Sequence, residues 1–518
     1  MMGWKYLKNN GLIAYILSGF LHGYVFLLFC IYPFYIENGY YNIGVAKIRF
    51  LYTLSIIVFI LCCIIRILEL IICKKKFLIL SYYRNISITE KLVLVYMFLI
   101  IFSFLLSSFK EKILWGAEEW RMGTVPLLLM FSLALFFMHW WKEKKWIWYG
   151  SFISTAIVIC LGICNRFSVY PIRIEPMEKV AFLSTLGNIN WFCGYLSVIS
   201  PIGIAIFLLK EDKNIKHELL LIFYMLINFM IGFCQGSSSY FAWTAAMFVV
   251  MLWISINNTT RIKRYLFIVS LWAMAGQILR VIHFLFPDRY NYSKAILNGA
   301  IDTNLTLIIM VVSFLLFCQI KGGKNIPVKN QKIIRIIIAG IVVVGILVYV
   351  GLSLYNTKIG IKALQDVSIL VWDENWGTGR GMHYRDTVML FGRMSLLQKI
   401  FGVGADGFEA FAYSFPDVAT HFNEVFEYSI LSNAHCEILT NMINLGIMGT
   451  IVFLGIMITF ALRCLKQGDR YPMLYIPGIC VICYCTNNLV SFAQVLNLPF
   501  LLVIIGIGEY YLRKIESC

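Results

Sequence analysis

The chain has little charge and few of the residues that build flexible linkers. Only 14% of its 518 residues are Asp, Glu, Lys or Arg, and it contains 11 prolines. No stretch rich in Ser, Gly and Pro interrupts it, so we predict no flexible linker between domains. Because 60% of the residues are hydrophobic, the composition argues against an ordinary soluble domain and indicates a polytopic membrane protein. We therefore expect one membrane domain over residues 1–518.

Several motifs that bind common cofactors are also missing. The sequence contains neither a GxxxxGK[ST] phosphate loop nor a dinucleotide-binding glycine fingerprint. Its 15 cysteines lie mostly inside apolar segments, and the string Cys480, Cys483 and Cys485 has no histidine or carboxylate beside it. We interpret these cysteines as packing residues rather than metal ligands or a disulfide framework. No cofactor is expected.

The net charge of +17 suggests a nucleic-acid partner until its distribution is considered. The cations form short clusters at alternate ends of the apolar segments, as expected for cytoplasmic loops of a membrane protein. We therefore expect the lipid bilayer as a partner and no nucleic acid, with both termini in the cytoplasm. The clusters lie at 74–76, 142–145, 210–216, 261–264, 321–335 and 463–470.

Fourteen apolar segments are long enough to cross about 30 Å of hydrocarbon as helices. The last two are short and separated by Ser491–Asn497, so a re-entrant hairpin is the alternative there. The predicted fold is an all-α polytopic membrane protein with 12–14 transmembrane helices. The segments are 11–33, 48–73, 91–109, 122–141, 146–164, 190–209, 218–234, 240–256, 265–286, 300–318, 333–355, 438–461, 473–490 and 498–512.

One large polar loop, residues 356–437, precedes the last three predicted helices and would lie outside the cytoplasm. Within it, the apolar spacing of 382–401 predicts one amphipathic helix on the outer leaflet. A second short helix is expected to begin near Pro416. A third is expected to begin near Asn433 and to continue into the membrane from Ile438, which places His435 at the top of a membrane helix.

Three histidines share this loop: His383, His421 and His435. Their spacings match no common metal-ligand motif, so we predict no metal site. The alternative use is a single histidine acting as a general base, for which the ordinary pKa of imidazole is suitable.

Arginines predicted to face outward are the second chemical signal. Arginine binds phosphate through two parallel hydrogen bonds, and such cations also stabilise a departing anion. The alternative is snorkelling toward lipid headgroups, which we assign to Arg289 and Arg393. The full set is Arg121, Arg166, Arg173, Arg280, Arg289, Arg380, Arg385 and Arg393.

The order of several weak motifs resembles the O-antigen ligase / O-antigen polymerase superfamily. Gly187-Asn-Ile-Asn190 is similar to its GNxN element, and Gly379-Arg380 followed by Tyr384 resembles its GR segment. Phe401-Gly-Val-Gly404 looks like its GxG element. Ala434-His-Cys-Glu-Ile-Leu439, followed by Gly446 and Gly449, resembles its AHNxxL and GxxG elements. The resemblance covers about residues 110–460.

This resemblance implies a membrane glycosyltransferase that works on the outer face of the bacterial cytoplasmic membrane. Such enzymes transfer a glycan from undecaprenyl pyrophosphate to an acceptor hydroxyl on a glycan or lipid, without a metal or a nucleotide sugar. By this resemblance His435 is the general base, and Glu437 in the same motif is the second predicted catalytic residue. The predicted pyrophosphate-binding residues are Arg380, Arg121, Arg385, Asn188 and Asn190.

The sequence departs from the family pattern at two positions. Cys436 replaces the asparagine that usually follows the histidine, and the family's Ser-Arg pair is absent from Gly236-Ser-Ser-Ser-Tyr240. Either Arg280 or Arg385 substitutes for the missing arginine, or the donor is held more loosely. Transfer to an acceptor and polymerisation of repeat units both remain open. A third alternative is a flippase for lipid-linked glycans, which would need charges within the spans, such as Arg66 and Glu69.

Overall fold

The computed structural model of this chain is almost entirely helical. It describes residues 11–72, 86–118, 120–172, 174, 182–210, 215–235, 237–289, 303–361, 364, 367–425 and 430–516. In these residues the only sheet is a two-residue antiparallel pair, Phe182–Leu183 with Gly187–Asn188. The basic cluster 74–76, Arg173 and Gly236 lie outside the described residues.

Eight helices occupy the part of the described chain that precedes residue 236. The first continues through a π-helical turn and a 3₁₀ turn to Phe34. They are α1 Gly11–Phe26, α2 Ile43–Ile72, α3 Ile88–Leu106, α4 Lys110–Trp115, α5 Thr124–Trp140, α6 Lys145–Arg166, α7 Ile189–Leu209 and α8 Ile215–Gln235.

Twelve helices follow, and five of them belong to the large polar loop or its junction with the membrane. They are α9 Ser238–Ser255, α10 Thr259–Leu285, α11 Leu305–Gln319, α12 Val328–Ile359, α13 Trp376–Arg393, α14 Leu396–Phe401, α15 Phe408–Ala412, α16 Pro416–Val425, α17 Glu437–Asn444, α18 Gly446–Gly468, α19 Tyr475–Asn487 and α20 Leu498–Glu516.

The predicted class, an all-α polytopic membrane protein, is confirmed by the length and composition of these helices. Nine helices in the described chain are long and apolar enough to cross a membrane, and four further apolar helices are shorter. A helix also occupies each of the fourteen predicted segments. An apolar segment that crosses a bilayer folds as a helix, because there is no water in the hydrocarbon to hydrogen-bond an open backbone.

Helix α7 forms the centre of the bundle. In the most apolar part of α7, 94% of the residues are buried, whereas the most apolar part of α12 is exposed. Close packing at α7 depends on glycine: a Cβ at Gly203 would lie 2.5 Å from the ring of Tyr224 in α8. Helix α7 is therefore surrounded by protein, whereas α12 is mostly exposed, with Ile338, Ser353 and Asn356 buried.

The loop helices differ from the prediction at two places. The single amphipathic helix predicted over 382–401 is divided into α13 and α14, because the Ser395 side chain accepts a hydrogen bond from Gln398 N at 3.3 Å and begins a new helix. The third loop helix does not start near Asn433 or run uninterrupted into the membrane. It begins at Glu437 as α17 and ends at Asn444, and Gly446 starts α18 with a φ of 67°.

The reason for the second break is a close approach between the two loop motifs. A Cβ at Gly402 would lie 2.2 Å from Asn444 O, and a Cβ at Gly446 would lie 2.4 Å from Ile400. Val403 N also donates to Ile443 O at 3.0 Å. The glycine motif after α14 is therefore packed into the junction between α17 and α18, and only glycine allows this approach.

Candidate functional site

The polar turn between α19 and α20, residues 488–497, is the base of the candidate site. Arg380, near the start of α13, donates from Nε to Val490 O at 2.8 Å and from Nη1 to Gly377 O. Tyr384, one turn later, donates from its hydroxyl to Leu489 O at 2.8 Å. Burial lowers the pKa of Arg380 from its ordinary value. Two backbone carbonyls of one turn thus hold the first turns of α13.

The Gly-Arg-Gly sequence around Arg380 is required by this backbone arrangement. Gly377 and Gly379 have φ values of 63° and 88°, which side chains other than glycine rarely adopt. A Cβ at Gly381 would lie 1.9 Å from Asp373 O. The glycines therefore let the chain turn tightly enough to direct Arg380 back toward Val490.

His435 lies in the short segment before α17, in a left-handed backbone conformation with a φ of 50°. Its backbone N donates to Asn433 Oδ1 at 2.9 Å, which stabilises this turn. The His435 ring lies 5.5 Å from the ring of Phe492, in the same 488–497 turn, and 4.7 Å from the ring of His383 in α13. Burial, then the neighbouring His383 and Arg380, lower the pKa of His435 to about 3.

Glu437 is buried at the first position of α17 and does not face solvent as a free carboxylate. The Tyr484 hydroxyl donates to its Oε1 at 2.9 Å, and Asn488 Nδ2 donates to its Oε2. Its backbone N donates to Asn488 O at 2.9 Å. Burial raises the pKa of Glu437 to about 7, although the two side-chain donors oppose the shift.

This pKa gives a testable pH dependence. Glu437 binds a proton more tightly in the folded protein than in the unfolded chain, so its contribution to the free energy of unfolding is greatest below pH 4.5 and is lost as pH rises through 7. The ionised form costs about 3 kcal/mol at pH 8. We expect the melting temperature in detergent to fall between pH 5 and 8, and the Glu437→Gln variant to show a smaller fall. An equal fall in both proteins would contradict the assignment.

A small cavity with a mostly apolar lining lies between the segment before α17 and the loop that carries Arg121. Its volume is about 60 Å³, and its lining includes Trp120, Asp406, Asn433, Glu437 and Asn441. Glu437 therefore lines the same cavity as Trp120, in the Arg121 loop, and Asp406, just after the glycine motif 402–404.

Arg121 lies in the loop 116–123, which Asp406 fixes through its Oδ2. This oxygen accepts hydrogen bonds from Ala117 N at 2.8 Å and Met122 N at 3.0 Å. The ring of Trp120 lies 4.6 Å from that of Trp191 in the first turn of α7. The structure therefore brings the Arg121 loop to the start of α7, with the Arg121 side chain exposed.

Asn188 and Asn190 have different structural roles at this helix start. Asn188 caps α7, with its Oδ1 accepting a hydrogen bond from Asn190 N at 2.8 Å. Asn190 Oδ1 accepts a hydrogen bond from Ser237 Oγ at 3.0 Å, and Ser237 contacts Ser239 at 2.8 Å. The polar helix start predicted from the sequence is present, and it is joined to the first turn of α9.

A second buried guanidinium, that of Arg166, lies near this helix start. A Cβ at Gly162 would lie 2.9 Å from Phe192 in α7 and 3.1 Å from Ile231 in α8, so this face of α6 packs between the two helices. Arg166 is one helical turn further out on the same face, and only 1% of its surface is exposed.

The neighbour shared by the two buried arginines is Cys193. The Sγ of Cys193 donates to Gln235 Oε1 at 2.6 Å. The same thiol interacts electrostatically with both Arg166 and Arg380. Gln235, at the outer end of α8, is itself 1% exposed. Arg166 of α6 is therefore a second buried cation close to Cys193 of α7.

The two arginines expected to replace the missing Ser-Arg pair lie elsewhere. Arg385 forms ion pairs with Glu374 and Asp386, and its side chain is 49% exposed. Arg280 donates to Thr303 O at 3.2 Å and to Asn304 Oδ1 at 3.1 Å. Arg385 is half-exposed and pairs with the buried carboxylate of Asp386, and Arg280 binds the 303–304 segment, so the structure brings neither into contact with Arg380 or His435.

Sequence reasoning missed the turn 488–497 as part of the site. Its functional atoms are backbone carbonyls, which any residue type provides. The signal in the sequence was a group of polar residues, Ser491, Gln494 and Asn497, between two apolar segments. In the structure all three are buried. Buried polar side chains at membrane depth are costly and mark functional regions.

Comparison with protein-family models and with curated proteins finds no match for this chain. In the described residues, no group of three or more His, Cys, Asp and Glu side chains has the arrangement of a metal site.

Proposed function

We propose that this protein is a membrane glycosyltransferase that moves a glycan from a polyprenyl pyrophosphate carrier, of the undecaprenyl type, to an acceptor hydroxyl. One observation carries the proposal: a buried guanidinium, Arg380, and an imidazole, His435, are fixed on the same turn by Val490 and Phe492. A transfer of this kind needs a base at the acceptor and a cation at the leaving group. The site supplies both.

The chemical steps follow from these two groups. His435 takes the proton of the acceptor hydroxyl while the hydroxyl oxygen bonds to the anomeric carbon of the donor glycan. The bond from that carbon to the pyrophosphate oxygen breaks, and its electron pair leaves with the pyrophosphate. Arg380 stabilises the negative charge that develops there, and its planar fork suits two phosphate oxygens. The products are the glycosylated acceptor and the lipid pyrophosphate.

In this proposal the enzyme lies in a bacterial cytoplasmic membrane, with the loop 356–437 outside and both termini inside. The four shorter apolar helices and α20 also cross the membrane, giving the predicted 12–14 spans. The basic clusters at the opposite ends of the helices support this orientation through the positive-inside rule. No nucleotide is needed on the outer face, because the donor carries its own activated leaving group.

Transport of a lipid-linked glycan is supported less well by the charges of the spans. Arg66 and Glu69, the pair considered for that role, form an ion pair with each other, and Arg66 lies over the Trp140 ring at 4.6 Å. Paired in this way near the end of α2, they have a structural explanation. Ligation and polymerisation share the donor chemistry, so the size of the product distinguishes them.

The test is a transfer assay with purified protein and a glycan linked to undecaprenyl pyrophosphate. We expect consumption of the carrier-linked glycan in the presence of an acceptor, with the same rate in EDTA. One added glycan per acceptor would indicate a ligase, and a ladder of products a polymerase. Failure to consume the donor with glycan, lipid and polysaccharide acceptors would overturn the transferase proposal.

Arg166 provides a prediction about donor binding. We expect Arg166→Gln to raise the KM for the pyrophosphate donor at least tenfold, because a charge-assisted hydrogen bond contributes about 1.5–3 kcal/mol. The matched control is Arg280→Gln, which should leave that KM within twofold. The measurement is the initial rate as a function of donor concentration. A raised KM in the Arg280 variant alone would assign the second cation to Arg280 instead.

A further inference from the structure

His383 is a titratable side chain that contacts the ring of the proposed base and has no role in the mechanism above. It lies in α13, three residues after Arg380 and thus on the same helical face. Its ring centroid is 4.7 Å from that of His435, with the ring planes inclined at 52°. The two imidazoles come from segments that are remote in sequence, so their contact is a product of the fold.

Both rings are held from several sides. Arg380 and Tyr384, which flank His383 in α13, are hydrogen-bonded to Val490 and Leu489. His435 is fixed by its left-handed backbone and by the ring of Phe492. Such restraint from both segments keeps the ring contact in place without a substrate.

We propose that His383 acts through His435 as the second member of a two-imidazole base. This inference rests on the proposed function and adds a specific proton path to it. His435 takes the proton from the acceptor hydroxyl as the new glycosidic bond forms, and passes a proton from its ring to the His383 ring. His383 then releases a proton to solvent or to the departing pyrophosphate, and both rings return to the neutral form. The path requires no other reactant.

The charges around the pair favour neutral rings before the reaction. Arg380 lowers the pKa of both imidazoles, and burial is the larger cause in each case. Asp386 opposes this at His383, whose pKa is lowered to about 4. The other titratable groups of the flanking segments are Tyr384, Cys436 and Glu437. Two neutral imidazoles can accept and pass on a proton at neutral pH, whereas an imidazole that is already protonated would repel it.

A neutral pair next to Arg380 also links base strength to donor binding. A bound pyrophosphate offsets the positive charge of Arg380, and that charge is one of the causes that lower both pKa values. The pair is therefore expected to bind a proton more tightly once the donor is present. An acceptor hydroxyl, or water, is activated less effectively before the donor arrives.

The test is a single-turnover transfer assay of His383→Gln with donor already bound, in mixtures of H₂O and D₂O. We expect the single-turnover rate to fall at least tenfold, with the KM for donor, measured separately in the steady state, unchanged within twofold. The wild-type rate should decrease non-linearly with the D₂O fraction, as two protons in motion require. The variant should show a linear dependence. His383→Asn, a smaller side chain, should give the same dependence if the variants fold.

The control is His421→Gln, which changes a histidine of the same outer loop that contacts Asp386 at 3.3 Å. It should retain the curved wild-type dependence. A His383 variant within twofold of the wild-type rate, or a slower one that keeps the curved dependence, would overturn the inference. So would a wild-type rate with no isotope effect. If His435→Ala remains active, the proposed base itself is wrong, and the two failures are thereby separated.

Discussion

Replacement of His435 by alanine is expected to reduce the rate of glycan transfer at least 100-fold, because a positioned general base contributes about 10²–10⁴ to such reactions. The variant keeps Arg380 and its contact with Val490, so donor binding should change little. The measurement is kcat and the KM for donor in the transfer assay. We expect the whole effect in kcat.

A control is available for damage to the fold. Asn433 Oδ1 binds the backbone N of His435 and not its ring, so the left-handed turn does not require the imidazole. The melting temperature of His435→Ala in detergent should therefore stay near that of the wild type. His421→Ala is the matched variant in the same loop and should retain transfer. Full activity of His435→Ala would remove the base from the mechanism.

Arg380→Lys is the second change for which we expect a large effect, although the charge is retained. The Arg380 side chain divides its hydrogen bonds between Gly377 O and Val490 O, and an ammonium group does not reproduce the planar fork. We expect kcat/KM for the donor to fall about 30-fold, which corresponds to about 2 kcal/mol for one charge-assisted hydrogen bond.

The matched control for this change is Arg393→Lys, at the end of the same helix. Arg393 forms an exposed ion pair with Asp417, and exposed ion pairs contribute little. Its variant should retain kcat/KM within twofold. If Arg380→Lys were as active as Arg393→Lys, the role of Arg380 in binding pyrophosphate would be wrong.

Much of the membrane fold could be predicted from the sequence, because each span is encoded locally by a continuous apolar segment. The breaks could not be predicted equally well. Ser395 looked like a polar position on one amphipathic helix, but it begins a new one. Gly446 ends the path from α17 into the membrane because Ile400 lies against it. That contact joins residues distant in sequence, and periodicity does not report it.

The candidate site was predicted only in part, because it too depends on contacts between residues that are distant in sequence. The order of the motifs led to Arg380 and His435, and both side chains contact the turn 488–497 in the structure. Arg385 carries the same chemistry as Arg380 five residues later, on a different face of α13, and its side chain is 49% exposed. Arg166 was one outward arginine among several. Its burial depends on how α6 packs between α7 and α8, which the local sequence does not specify.

The order of synthesis has a consequence for when the proposed site is assembled. Arg380, Tyr384 and Glu437 are held by backbone atoms of Val490, Leu489 and Asn488, respectively, and the ribosome delivers these three residues after all three side chains. A nascent chain with every earlier motif would still lack the carbonyls that orient them. On the proposed function, transfer begins only once the turn 488–497 has been synthesised, and a product truncated before residue 488 would be inactive.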